Sequence, residues 1–137
     1  MTTGTAGTSA RQFHTQQIHY LRKSLVETGT TANQSEVFTV GTIPAGSLIL
    51  KALSGVNVDV AYTSATNKLI QIGTTANDDL YGTNLSVASI AFVPLDEAVA
   101  MTVAADTVIT ASHALTGSAG TAGRAEVVIA YIPDNDG

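Results

Sequence analysis

The stretch Val56-Asn57-Val58-Asp59-Val60-Ala61 decides the fold class. A valine at every second position, with polar or small residues between, is the period of a strand that buries one face, because successive strand side chains point to opposite sides. β-Branched residues also suit a pleated, half-buried surface.

Further strand candidates lie outward from this stretch at short, regular intervals. Toward the C-terminus they are 68–72, ended by Gly73, then 85–93, 98–103, 107–111 and the strongly β-branched 124–132, which Pro133 stops. Toward the N-terminus they are 47–53 and 35–40, separated by the turn Ile43-Pro44-Ala45-Gly46, where proline presets φ and glycine permits φ > 0. Residues 16–25 carry a mixed pattern and are assigned to a strand because everything downstream is β. Between these runs lie polar or Gly-rich loops at 28–34, 74–84 and 115–123. No convincing amphipathic helix and no fixed-period repeat is visible. About eight or nine strands at this spacing predict an all-β, antiparallel two-sheet sandwich, best fitted by an eight-stranded jelly roll, with an immunoglobulin-like sandwich as the alternative. The single domain is placed at 13–137. Residues 1–12, rich in Thr, Gly, Ala and Ser, are expected to form a flexible arm.

Composition narrows the function. The 137 residues include no cysteine, which excludes disulfides and thiolate sites. Only 12% are charged, against 45% hydrophobic, a balance that suits a surface largely covered by partners. Residues 1–26 hold Arg11, Arg22 and Lys23 and no acid, whereas 27–137 hold three bases and eleven acids. An acidic body argues against a nucleic-acid groove. No run of 18 apolar residues predicts a membrane span, and 1–10 lacks the apolar core of a signal peptide.

No catalytic, cofactor-binding or metal-ligating constellation is expected. His14 and His19 are five apart, a spacing that puts them on different faces of a strand or a helix, and His113 is read as a surface or partly buried residue. The fold's metal enzymes of the cupin type carry His-x-His, and none occurs here. Asn77-Asp78-Asp79 lacks the Gly spacing of a calcium loop, Asp96-Glu97 reads as a turn pair, and no Gly-x-Ser-x-Gly elbow or phosphate loop is present. The candidate residues are therefore partner contacts: Arg11, Arg22 and Lys23, whose charge can steer an arm onto an acidic neighbour, and Tyr81, an aromatic within a polar loop. Tyr62 and Tyr131 lie in apolar runs and are assigned to the core or a sheet edge.

The segments VGTIPAGSLIL at 40–50, NKLIQIGT at 67–74, DDLY at 78–81 and GRAEVVIAYI at 123–132 resemble small decoration or cement proteins on the heads of tailed bacteriophages. The resemblance covers about residues 35–133 and has no catalytic motif. It implies a jelly-roll or similar sandwich on the outer surface of an icosahedral shell. There it would bind the major capsid protein and copies of itself, as a dimer or trimer, and bridge capsid subunits. Competing expectations are another phage part, such as a tail or fibre attachment, a receptor- or carbohydrate-binding module, and, least favoured, an enzyme.

Overall fold

The computed structural model describes residues 17–134; the whole of the expected arm, residues 1–12 with Arg11, lies outside the described residues, as does His14. Nine strands follow one another: β1 (His19–Val26), β2 (Val37–Ile43), β3 (Leu48–Ile49), β4 (Gly55–Val60), β5 (Lys68–Thr74), β6 (Gly82–Ser86), β7 (Ala91–Pro94), β8 (Thr107–Leu115) and β9 (Arg124–Ile132). Two short 3-10 turns, Ala32–Ser35 and Lys51–Leu53, interrupt them.

The strands form two antiparallel sheets. One runs β1-β9-β4-β7, with β3 also on β9; the other runs β2-β8-β5-β6. Apart from the β5–β6 hairpin and the β3–β4 step, each connection crosses from one sheet to the other, which is the path of a jelly roll. The all-β sandwich expected from the sequence is the observed fold.

Alternation explains the interior. Val56 and Val58 of β4, Ile70 and Ile72 of β5, Ile109 and Ala111 of β8, and Val127 and Ile129 of β9 point inward and are buried. The core between the sheets is mainly aliphatic, completed by Leu25, Ile43, Leu85 and Val87, with Tyr62 and Tyr81 as its fully buried aromatics.

Several expected elements differ. Of 47–53 only Leu48–Ile49 is a strand. The chain then kinks so that β4 can take over the flank of β9 from β3. Ser54 bridges the step: its Oγ donates to Leu50 O at 2.8 Å and accepts the Ala130 N–H at 2.9 Å. The run 85–93 divides into β6 and β7 because the chain changes sheets there, with Val87 N–H held by Lys68 O. In 98–103 the alternation is real, since Val99, Met101 and Val103 pack on the core, yet the segment forms only an isolated bridge, Thr102 with Leu48. Gly73 does not end β5, which continues to Thr74. It is glycine because a Cβ there would lie 2.2 Å from Asn77 O in the following loop. The turn at Pro44 closes one residue later than read, Ser47 N–H donating to Pro44 O at 3.2 Å with Gly46 at φ 83°.

Ile129 is fully buried on the central strand β9, whereas Ile90 is 72% exposed in a loop. Ile129→Ala is expected to destabilise the chain by about 2–5 kcal/mol and Ile90→Ala by less than about 0.5 kcal/mol, measured by urea unfolding.

Candidate interaction surface

The outward face of the β1-β9-β4-β7 sheet carries the site that the geometry singles out. Alternation turns Tyr20 and Arg22 of β1, Glu126 and Val128 of β9, Asn57 of β4 and Phe92 of β7 to this side. The register sets Ser24, Glu126, Asn57 and Phe92 in one row across four strands. In the next row Gly55 lies beside Val128, and a hollow opens over these two rows. That hollow, about 380 Å³, is lined by Tyr20, Arg22, Asn57, Phe92, Glu126 and Val128. Its rim is aromatic and open, with Tyr20 56% and Phe92 45% exposed.

Two ion pairs order the charges on this face. Arg22 donates through Nε to Glu126 Oε2 at 3.0 Å and through Nη2 to Oε1 at 2.8 Å. Arg124 donates through Nε to Asp59 Oδ2 at 2.8 Å. The hydrogen bond from Arg124 holds the Asp59 carboxyl below its ordinary value, and the bond to Glu126 raises the Arg22 guanidinium further. Both pairs are exposed, so they contribute little to stability. They leave a face with neutralised polar groups between aromatic edges, suited to covering by a partner.

Of the residues singled out from sequence, Arg22 belongs to this hollow. Lys23, the next residue on β1, is directed to the opposite side of the strand, so the two cations do not share a face. Tyr81 is a correction. It is 3% exposed, and burial raises its hydroxyl pKa. Its backbone N–H donates to Ile72 O, continuing the β5–β6 pairing and turning the ring into the core rather than toward a partner. Sequence reading missed Tyr20 and Phe92 as surface residues. The signal for Tyr20 was its two-residue spacing from Arg22; Phe92 sat in an apolar run with no face marked.

The buried polar groups are structural anchors. His113, expected at the surface or partly buried, is fully buried. Its Nδ1–H donates to Asn33 O at 2.8 Å, which leaves Nε2 as an acceptor 3.0 Å from the Tyr62 hydroxyl, whose one proton is shared between Nε2 and Leu25 O at 3.3 Å. The Glu27 carboxylate accepts from Thr63 N–H at 3.0 Å, from the Thr63 hydroxyl at 3.2 Å and from the Ser64 hydroxyl. These bonds tie residues 27–36 across the end of the sandwich. His19 stacks on Tyr131, far along the chain from His113. Among the described residues no three His, Asp or Glu side chains converge as a metal-binding group.

No protein-family model matches the chain, and no curated protein matches it. Among solved structures it is similar to a chain of the structure described as "Cyanophage Pam1 capsid asymmetric unit". The TM-score is 0.63 and the identity 21%, over 85% of this chain and 85% of that one. The likeness establishes a shared fold.

Burial lowers the His113 pKa from its ordinary 6.5, outweighing the bond to Asn33 O and the nearby Glu36 and Glu27. The unfolded chain therefore takes up the proton first as pH falls. The stability held by neutral His113 is complete above about pH 6.5 and declines as pH drops through that value toward the folded one. Urea midpoints should fall between pH 8 and pH 5.5, and His113→Gln should flatten that slope. Tyr62→Phe, which strands Nε2 without a donor, is expected to cost about 1–3 kcal/mol at pH 8.

Proposed function

We propose that this chain is a non-catalytic structural component of a phage particle, a decoration or cement protein that sits on the outside of the head and bridges subunits of the major capsid protein. The observation that carries this reading is the jelly roll shared over 85% of the chain with a chain of a cyanophage capsid asymmetric unit. Low charge density supports it, as does an open sheet face with aromatic rims and internally neutralised ions. Association with copies of itself belongs to the same proposal. It would let one bound unit span several shell subunits.

A second reading, a carbohydrate- or receptor-binding module, draws on a specific observation. Tyr20 and Phe92 flank one hollow together with Asn57 and Glu126, the combination of ring faces and hydrogen-bonding groups that sugars use.

The test adds purified chain to phage shells that lack it. The decoration reading expects saturable binding in copy numbers set by the shell's symmetry, and a higher melting temperature of the decorated shell. Removing an aromatic anchor by Tyr20→Ala or Phe92→Ala should weaken binding about tenfold or more. Binding to tails or to immobilised glycans with none to shells would overturn it.

A further inference from the structure

We infer that the free edge of β1 receives an extended, acid-bearing segment of a partner chain as an added strand. The inference deepens the docking reading above and rests on it only for the partner's origin. It starts from the direction of the backbone groups. Glu27 N–H donates to Gly123 O at 2.9 Å, just past the end of the β1–β9 ladder, in which Val26 faces Arg124. In an antiparallel pair the residues whose N–H and C=O meet the partner alternate. Leu25, Lys23, Leu21 and His19 therefore bond to β9, and the backbone groups of Val26, Ser24, Arg22 and Tyr20 point away from it. The far flank of β9 agrees: Ala130 O accepts from Leu50 N–H and Ala130 N–H donates to Ser54 Oγ, on the alternate set of residues.

One of the four outward groups is already satisfied locally. Val26 O accepts from Asn33 Nδ2 at 3.2 Å. Tyr20, Arg22 and Ser24 face a flank to which no strand is hydrogen-bonded among the described residues, since β1 ends its sheet.

The other three sheet edges are blunted. β7 is four residues long and ends in Pro94, β6 has five residues beside an irregular register, and the β2 ladder shifts between Thr39 and Gly41. β1 pairs in unbroken register over eight residues and contains no proline. An edge this long and regular is a template for β-strand addition unless charge guards it.

The charges choose the occupant. Arg22 is matched by Glu126, whereas Lys23 has no ion pair among the described residues. A second copy paired antiparallel about Arg22 would set the two arginines opposite each other, and one paired about Lys23 would set the two lysines opposite each other; like charges so placed destabilise a strand pair. Residues 1–16 of a sister copy carry Arg11 and no acid, so they do not complement this edge either. An extended segment with Asp or Glu opposite Lys23 does, so the same cation that repels self-pairing selects an unlike partner.

The full chain, labelled with 15N, is titrated with blocked eight-residue peptides of alternating Thr and Glu, or of alternating Thr and Lys, and with a peptide of residues 1–16. The Glu peptide should slow amide exchange at Tyr20, Arg22 and Ser24 by about tenfold or more, and the other two should not. Ser24→Pro, which removes an outward N–H, should abolish the effect, and Lys23→Glu should transfer it to the Lys peptide. Protection mapping to another element, equal binding of the Glu and Lys peptides, capture of the 1–16 peptide, or edge amides already slow in the free chain would each overturn the inference. Because the readout uses no shells, a chain that binds the Glu peptide at β1 but binds no shell keeps this edge site and sinks only the decoration reading.

Discussion

Strand β9 is held on both flanks at once, by β1 along eight paired residues and by β4 with β3 on the other side. Val127 and Ile129 lie fully buried beneath it. The first strand of the described chain therefore has no place until the last one is made, and sheet closure depends on contacts between distant parts of the sequence. Such non-local pairing folds slowly. It also fixes the functional geometry. Because β9 takes the inward flank of β1, the other flank of β1 becomes an outer edge, and the row from Ser24 to Phe92 becomes a continuous outward face.

The second constraint is polar. The segment between β1 and β2 crosses the end of the sandwich and would bury unpaired groups there without Asn33, His113, Tyr62 and Glu27. Each binds a group from a different part of the chain, so the network locks the crossing in one arrangement. Asn33 also caps Val26 O, which ends the free edge of β1 at a defined residue. The same hydrogen bonds that close the fold thus limit where a partner strand can pair.

Much of the fold was legible because strands announce themselves locally. β4 and β9 show alternation and β-branched residues that hold whatever the rest of the chain does. What failed depended on distance. The run 85–93 reads as one strand because a change of sheet leaves no mark on period-2 alternation. Residues 98–103 alternate and bury the right side chains, yet find only one bridge partner. The company of Asp78 and Asp79 marks Tyr81 as a loop contact, whereas its backbone joins the β5–β6 pairing and its ring is buried. Arg22 stands out in the sequence as a cation, but its ion-pair partner Glu126, 104 residues away, does not. Nor could the burial of His113 be read, since Asn33 and Tyr62 reach it only in the folded chain.

Under the proposed function, the face and edge built around β1 and β9 are what would meet a phage shell from outside. Cryo-electron microscopy of shells with and without the chain addresses it most directly. The account predicts added density on the outer surface, at junctions between capsid subunits, with β1 toward the shell and a shell segment running beside Tyr20, Arg22 and Ser24. Density at the tail or inside the shell, or a docked chain whose β1 edge faces solvent, would contradict it.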